Sequence, residues 1–330
     1  MEYIALKNIC KINMGQSPDS SSYNDNKDGI PFFQGNADFG EKYPVTRVWC
    51  NAPIKVAQPN DILISVRAPI GALNFAKEEC CIGRGLAALT PDRSKVSLEF
   101  IYWVLKWKKA ELNSKGTGST FKAISRKVLE ETLVPAIDFE KQYEYAEILG
   151  KTYSVIKKYK KELNCLDGLI KARFVEMFYD KGYPILKWND VFNTTTGKLD
   201  SNAAVEDGEY PFFTCSKEVL RIDKFAFDQE ALLLAGNNAA GKYDVKYYNG
   251  KFNAYQRTYV LGLKEDWSYQ LFRYQLEDKL VYLQQQSLGG LTKYLTMKIL
   301  GKLDFIIPPI EKQIAFEVFA NQVNKSKVTV

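Results

Sequence analysis

A chain of 330 residues, of which 46% are hydrophobic and 25% are charged, can bury more than one core, and its length predicts two domains of ordinary size. It contains no histidine, which excludes mechanisms in which imidazole is the general base or completes a mixed zinc site. The net charge of +6 is compatible with binding a polyanion but does not establish it.

The six cysteines form no C-x-x-C pair, so no metal site is predicted. The adjacent Cys80 and Cys81 are expected to be reduced, half-buried strand residues, because neighbouring cysteines are awkward as a disulfide and poor as a chelate. No apolar run approaches the roughly 18 residues that a membrane span needs. The first residues do not lead from a basic into an apolar segment, so we expect a cytoplasmic protein without a membrane anchor.

An internal repeat organises the sequence. The first copy contains, in order, Leu6-Lys7, Gly15, Pro31-Phe32-Phe33, apolar runs at 61–71 and 82–89, a helical pattern at 98–112, a glycine loop at 115–122, and Glu140-Lys141-Gln142. The second copy contains, in the same order, Leu186-Lys187, Gly197, Pro211-Phe212-Phe213, runs at 231–241 and 254–261, a helical pattern at 269–283, a glycine loop at 287–293, and Glu311-Lys312-Gln313. The shared order indicates one fold present twice.

Within each copy the patterns predict strands and helices together. The apolar runs at 82–89 and 254–261 predict half-buried strands, and the segments at 98–112 and 269–283 predict amphipathic helices. Each glycine loop precedes a short helix and a strand that ends in proline. The phenylalanines of both Pro-Phe-Phe motifs are expected in the core, so each copy predicts an α+β domain.

A long helix is predicted between the copies, because residues 138–180 contain no proline and only two glycines. At 1.5 Å per residue it would be about 60 Å long. Two heptad seams run along it, one formed by Leu149, Ile156, Leu163, Ile170 and Met177 and the other by Tyr145, Thr152, Tyr159 and Leu166. The lysines at 157, 158, 160 and 161 are expected to face solvent.

A second, shorter helix is predicted from Glu311 to the end, where Phe316, Ala320 and Val323 continue the apolar pattern. An antiparallel pairing would cover only the carboxyl half of the long helix. We therefore expect a partner subunit or a second copy of the chain to dock on the uncovered positions Tyr145, Leu149, Thr152 and Ile156.

The predicted architecture is an α+β fold with two tandem mixed-sheet domains separated by a long coiled-coil helix. The expected boundaries are a first domain at 1–137, the spacer helix at 138–181, a second domain at 182–310 and the short helix at 311–330.

Candidate DNA contacts lie on glycine-flanked loops, since phosphates are bound by Lys or Arg and base edges by Arg, Asn or Gln. The candidates are Gln34, Asn36, Arg67, Arg84, Lys115, Thr117, Ser119 and Lys122 in the first copy and Lys217, Asn237, Asn238, Lys242, Gln256, Arg257 and Lys293 in the second. For each residue, turn formation or an ordinary surface charge remains an alternative. Likewise Gly116, Gly118, Gly289 and Gly290 either form turns or let backbone approach phosphate.

The motifs in this order resemble the specificity subunits of type I restriction-modification systems. The resemblance covers the whole chain and rests on Gly15-Gln16-Ser17-Pro18, Ile30-Pro31-Phe32-Phe33-Gln34-Gly35, the run at 61–67, Gly118-Ser119-Thr120-Phe121-Lys122-Ala123-Ile124-Ser125, Leu133-Val134-Pro135 and Glu140-Lys141-Gln142. It departs from the family in its second helix, which is shorter than the first.

The resemblance implies two target-recognition domains that each read half of a bipartite site in double-stranded DNA. It also implies paired helices that set the spacer and dock two methyltransferase subunits, with an endonuclease/translocase joining that core. The partners, and not this chain, would use S-adenosylmethionine, ATP and magnesium.

Three other functions compete with this interpretation. An autonomous methyltransferase is disfavoured because 306–310 lacks the asparagine of an adenine-gripping motif and no cofactor-type glycine motif follows a strand. A nuclease is disfavoured because Glu277-Asp278-Lys279 lies on a predicted amphipathic helix, where charges are ordinary. A coiled-coil adaptor that never touches DNA remains open, because residues 182–330 are nearly neutral, with 18 basic and 17 acidic groups.

Overall fold

The computed structural model describes residues 2–118, 122–239 and 241–329. Contacts divide the chain into two units, 1–157 and 158–330, each with its own cores. Within the described ranges, every helix is too short or too polar to cross a membrane.

Unit 1 is built from short strands followed by helices. Its strands are β1 (Tyr3–Ala5), β2 (Cys10–Met14), β3 (Tyr23–Asn24), β4 (Ile30–Phe33), β5 (Trp49–Cys50), β6 (Val56–Ala57), β7 (Ile62–Ser65), β8 (Leu73–Phe75), β9 (Cys80–Ile82), β10 (Leu86–Pro91) and β11 (Leu133–Pro135). Its helices are α1 (Leu98–Trp107), α2 (Lys109–Ser114), α3 (Arg126–Glu130) and the first part of α4 (Phe139–Phe178).

Two sheets, one antiparallel and one mixed, form the body of unit 1. One sheet has the order β2-β10-β7-β8 and another has the order β3-β5-β4-β9-β6, in which β4 and β9 are parallel. Three successive residues of β7 are apolar because both faces of the strand are buried: Ile62 and Ile64 lie in one core and Leu63 lies in another. The hydrophobic run at 61–71 therefore marks a central strand.

Unit 2 repeats this plan with longer strands. Its strands are β12 (Ile185–Lys187), β13 (Phe192–Thr196), β14 (Tyr210–Phe213), β15 (Leu220–Ile222), β16 (Phe227–Ala235), β17 (Asn237–Asn238), β18 (Val245–Ala254), β19 (Thr258–Leu263), β20 (Lys293–Tyr294) and β21 (Asp304–Ile306). Its helices are the second part of α4, α5 (Trp188–Val191), α6 (Tyr269–Asp278), α7 (Leu280–Gln286), α8 (Met297–Leu300) and α9 (Ile310–Thr329).

The main sheet of unit 2 has the order β13-β19-β16-β18-β14-β15. Strand β18 joins what unit 1 keeps as two sheets, because it pairs antiparallel with β16 and then parallel with β14 at Asn253 and Ala254. As in unit 1, the central strand is buried on both faces, with Leu232 and Leu234 in one core and Leu233 in another. Phe32, Phe33, Phe212 and Phe213 are all core residues, as predicted.

The expectation of a single half-buried strand at 82–89 and at 254–261 was wrong. Each segment is the end of one strand, a tight turn and the start of the next strand, with Leu86 N donating to Gly83 O at 3.0 Å and Thr258 N donating to Tyr255 O at 2.8 Å. Strand β10 is buried on both faces, because Ala87 and Leu89 pack in a different core from Leu86 and Ala88. Cys80 and Cys81 are likewise fully buried, free thiols.

The amphipathic segments at 98–112 and 269–283 are each two helices. The first breaks at Lys108 and the second at Lys279. The break lets the following turn direct Leu112 and Leu283 into the cores of their units, where both are fully buried.

Helix α4 is continuous over 40 residues, as the absence of proline predicted. Its carboxyl half packs antiparallel on α9: Phe178 contacts Phe316 with ring centroids 5.6 Å apart, while Lys327 forms an ion pair with Asp167 at 2.5 Å. Buried Phe316, Ala320 and Val323 confirm the predicted apolar face of α9.

The contacts of α4 are not a strict heptad. Ile170, Phe174 and Phe178 follow one another every four residues on the α9-facing side. A straight helix with 3.6 residues per turn drifts away from a seven-residue repeat, so Phe174 and Phe178 join the interface although neither was assigned to a seam. In the amino half, Lys157 forms an ion pair with Glu41, so one of the four lysines expected to face solvent has a partner.

The repeated Glu-Lys-Gln motif has a structural explanation in its glutamine. Gln142 accepts a hydrogen bond from Ser97 N at 2.8 Å and donates to Ile137 O at 3.0 Å. Gln313 makes the matching bonds, from Ser268 N at 3.0 Å and to Pro308 O at 2.8 Å. Both side chains are buried and attach the start of a helix (α4 or α9) to the start of α1 or α6.

Candidate nucleic-acid interface

Several loops of unit 1 meet at one edge of its sheets. Strands β2, β4, β7 and β9 end there and β10 begins there. Gly83 N donates to Phe33 O at 2.8 Å, Gly85 N donates to Gln34 O at 3.1 Å, and Val66 N donates to Gly85 O at 2.9 Å. These bonds bring Gln34, Arg67 and Arg84 onto adjacent loops, and all three side chains are exposed.

Glycine is required where these loops cross. A Cβ on Gly85 would lie 2.4 Å from Gln34 O, and a Cβ on Gly15 would lie 2.2 Å from Gly83 O. No side chain fits at such distances, so these glycines serve the contact between loops. Gly118 and Gly289 have φ values of 116° and 99°, which agrees with the turn-forming alternative.

The glycine loop of unit 1 joins the same edge. Ala68 N donates to Lys122 O at 3.0 Å, and Ala123 bridges both Arg67 and Thr117. Thr117 and Lys122 are exposed, while Lys115 forms an ion pair with Glu111 at 2.6 Å. The predicted contact Ser119 lies outside the described residues.

Asn36 and Gln34 share a tight loop after β4. Asp38 accepts hydrogen bonds from Gln34 N at 2.7 Å and from Gly35 N at 3.3 Å. The carboxylate of Asp38 thus fixes the backbone that presents the two amide side chains, and Asn36 is half-buried.

Unit 2 forms the corresponding edge with two backbone bonds that match those of unit 1. Tyr255 N donates to Phe213 O at 2.9 Å and Gly236 N donates to Arg257 O at 2.8 Å. The exposed side chains of Gln256 and Arg257 therefore lie beside the half-buried Asn237.

The glycine loop of unit 2 pairs with the segment after β16. Asn237 pairs with Tyr294 and Asn238 pairs with Lys293 in the two-stranded ladder β17-β20. Asn238 Oδ1 accepts a hydrogen bond from Lys242 N at 3.2 Å, which closes the turn that carries the exposed Lys242. Lys293 is half-buried.

Lys217 is exposed on the loop after β14. Lys246 Nζ donates to Ser216 O at 2.8 Å and also forms an ion pair with Asp244, which holds this loop against β18.

Tyr259 is a half-buried residue of β19, next to the turn that carries Gln256 and Arg257. Burial raises the pKa of Tyr259, whose hydroxyl donates to Leu295 O at 3.0 Å. Tyr259 therefore stays neutral and acts as a structural support.

Two polar residues that were not predicted from the sequence support this edge. Asp200 accepts a hydrogen bond from Gln256 Nε2 at 3.2 Å, and Ser17 Oγ accepts one from Arg84 N at 3.3 Å. Ser17 follows Gly15 at the end of β2, and Asp200 follows Gly197 at the end of β13. These two matched glycines were the available signal. No cluster of three or more side chains able to hold a metal ion occurs among the described residues.

The amino half of α4 has one face that packs on unit 1 and one that is open. Ala146 is buried, and Tyr153 lies edge-on to Trp103 with Lys106 Nζ 3.4 Å from its ring centroid. The predicted docking positions Tyr145, Leu149 and Ile156 are between 43% and 45% exposed, and Thr152 is exposed. Together with α1, Leu149 lines an apolar groove whose other members are Phe100, Trp103, Val104, Lys106 and Trp107.

Comparison with known proteins yields a consistent set of relatives. The chain is 44% identical over 152 residues to the putative type I restriction enzyme MjaX specificity subunit of Methanocaldococcus jannaschii, covering 46% of this chain and 36% of that protein. It is 52% identical over 87 residues to the type I restriction enzyme EcoDI specificity subunit of Escherichia coli, covering 26% and 19%. The matched segments thus span well under half the length of these curated relatives.

The fold also matches a solved structure along nearly all of the chain. The S subunit of a type I restriction-modification system from M. genitalium aligns with a TM-score of 0.61 and 14% identity, covering 99% of this chain and 92% of that one. A family model described as the type I restriction modification DNA specificity domain matches residues 1–165 and again residues 181–319. The model matches both copies of the repeat, and the chain therefore belongs to the family of type I restriction-modification DNA specificity domains.

Proposed function

We propose that this chain is the DNA-recognition subunit of a type I restriction-modification complex and that each unit reads one half of a bipartite target. One observation carries the proposal: both units bring cationic and amide side chains to the same sheet edge through the same backbone hydrogen bonds. Cations suit phosphates, and amides and guanidinium groups suit base edges. The adaptor alternative gives no reason for this duplicated edge.

The same proposal assigns catalysis to partner subunits. Two methyltransferase subunits would dock on the helices, and an endonuclease/translocase would complete the assembly. S-adenosylmethionine, ATP and magnesium would then be bound by those partners. A cytoplasmic location belongs to the proposal, since the target DNA lies there.

The open groove of unit 1 supports the docking part of the proposal. Its counterpart in unit 2, between α6 and α9, is filled by the carboxyl half of α4, where Phe174 packs on Tyr274 with centroids 4.9 Å apart. The groove beside Leu149 has the same apolar character but is open. We propose that a helix of a methyltransferase subunit covers it; self-association of the chain through the same face is the competing outcome.

The test is to map adenine methylation in the host genome with and without the gene, and to measure duplex binding by the chain purified with its methyltransferase partners. A bipartite motif that loses methylation when the gene is deleted is expected. Unchanged methylation together with no duplex binding by the complex would contradict the proposal.

A separate experiment tests the docking surface. Leu149→Asp should lower recovery of the methyltransferase with the chain, whereas the exposed Lys151→Asp, on the same helix, should not.

A further inference from the structure

The two units can be matched residue by residue at the proposed DNA edge. Ile124 N donates to Val66 O at 2.9 Å, and Leu295 N donates to Gly236 O at 2.8 Å. Val66 therefore corresponds to Gly236, so the following residues, Arg67 and Asn237, are matched.

Two further pairs follow from the same kind of bond. Gly83 N and Tyr255 N both donate to the carbonyl of the second phenylalanine in a Pro-Phe-Phe motif, so the next residues, Arg84 and Gln256, are matched. The bridges Thr117–Ala123 and Leu288–Tyr294 match Lys122 with Lys293.

The matched positions divide by chemistry. Lys122 and Lys293 are identical, as expected of residues that hold a phosphate backbone common to both half-sites. The other two pairs differ: Arg67 in unit 1 is matched by Asn237 in unit 2, and Arg84 is matched by Gln256. A guanidinium fork is complementary to guanine O6 and N7, whereas a carboxamide is complementary to adenine N6 and N7.

Three of the four side chains, those of Arg67, Arg84 and Gln256, are exposed, and that of Asn237 is half-buried. Arg67 and Arg84 are exposed, and within the described ranges neither guanidinium has an ion-pair partner. Gln256 gives one N–H to Asp200 Oδ2, which leaves its second N–H and its oxygen for a bidentate contact with a base. The carboxylate of Asp200 would repel a phosphate at this point, which favours a base edge.

We infer that the two units read chemically different half-sites, with guanine at the positions contacted by Arg67 and Arg84 and adenine at the positions contacted by Asn237 and Gln256. This inference rests on the proposed function. Arg257 is matched by Gly85, which has no side chain to compare with it. Arg257 is therefore left out of the assignment.

The test uses the chain assembled with its methyltransferase partners and a library of randomised duplexes. The selected motif should contain guanine in one half-site and adenine in the other. Arg84→Gln should then change one required guanine to adenine, and Gln256→Arg should make the reverse change in the other half-site. Each variant should bind the original site about 5- to 150-fold more weakly, as for loss of one bidentate base contact. Lys122→Gln is the control and should weaken binding to all duplexes alike.

The outcomes separate the inference from the function on which it rests. If Arg84→Gln and Gln256→Arg weaken all duplexes equally, or if the motif lacks these bases, the inference is overturned and DNA recognition stands. If the wild-type complex selects no duplex, the proposed function fails as well. Thermal unfolding of each variant checks that these exposed substitutions leave the fold intact.

Discussion

Gln142 and Gln313 show how a short motif can be structural where it looks functional. Each is a buried carboxamide that satisfies one backbone N–H and one backbone carbonyl outside regular secondary structure. Buried backbone groups without such partners carry a desolvation cost, so the side chain at this position has to be an amide of this length.

Replacing either glutamine should therefore destabilise its own unit. We expect Gln142→Ala to lower the free energy of unfolding of unit 1 by about 1–3 kcal/mol, because Ser97 N and Ile137 O lose their partner. Urea unfolding monitored by hydrogen exchange in each unit measures this. The neighbouring exposed Lys141→Ala is the matched control and should change stability by less than about 0.5 kcal/mol.

The buried thiols make a second prediction at the scale of single residues. Burial, and to a smaller extent the charge of Asp92, raises the pKa of Cys10 to about 12, and burial raises the pKa of Cys80 to about 12. The unfolded chain therefore loses these thiol protons first as pH rises above about 9. Stability contributed by the neutral thiols is complete below that pH and is lost above it.

At pH 10 this loss should be about 1.4 kcal/mol per thiol. Cys80→Ala should reduce the difference in unfolding free energy between pH 8 and pH 10 by that amount relative to the wild type. Iodoacetamide at pH 8 should label the exposed Cys165 in the native chain but not Cys10 or Cys80, and labelling of all three at equal rates would contradict the burial argument.

At the scale of elements, α4 has two halves with different environments. Its carboxyl half is part of a core with α9 and α6, in which Phe316 is fully buried and Ile170 nearly so. Its amino half buries Ala146 but leaves Leu149 44% exposed. One continuous helix thus carries both a structural interface and an open surface.

Because of this difference, truncating an apolar side chain to alanine should reduce stability greatly in one half-helix environment and very little in the other. Phe316→Ala should destabilise unit 2 by about 3–5 kcal/mol, because a buried aromatic side chain is replaced by a cavity. Leu149→Ala should change the stability of the isolated chain by less than about 0.5 kcal/mol. Chemical denaturation of the two variants measures both, and a large effect of Leu149→Ala would show that its face is already covered within the chain.

For the whole molecule, the charge distribution matters for the strength of DNA binding. The first 137 residues carry 18 basic and 14 acidic groups, while residues 182–330 carry 18 and 17. A net charge this small makes DNA affinity dependent on where the cations lie, and Lys122 and Lys293 lie at matched positions of the two proposed DNA edges.

Binding by the complex should weaken steeply as salt rises, through release of counterions from DNA. The double variant Lys122→Ala, Lys293→Ala should reduce the slope of log affinity against log salt by about 2, one for each lost phosphate contact, without changing the preferred sequence. Filter binding or fluorescence anisotropy over a range of salt concentrations measures this slope. An unchanged slope would place both lysines away from the phosphates.

Much of the fold could be predicted because it depends on local patterns. The order of repeated motifs, the absence of proline from 138–180 and the apolar face of Phe316, Ala320 and Val323 each reflect neighbours along the chain. The segment at 82–89 was misread because its turn depends on contacts that periodicity does not report: Gly83 and Gly85 bend the chain against the loop at Phe33 and Gln34.

The sequence by itself determined that the chain is duplicated and that a long helix joins the copies. These features follow from repetition, helix propensity and spacing, which are properties of short stretches of chain. Only the tertiary structure decided that Asp200 orients Gln256 and that Gln142 and Gln313 are buried supports. Those relations depend on hydrogen bonds between residues far apart in the sequence, and no local pattern encodes them.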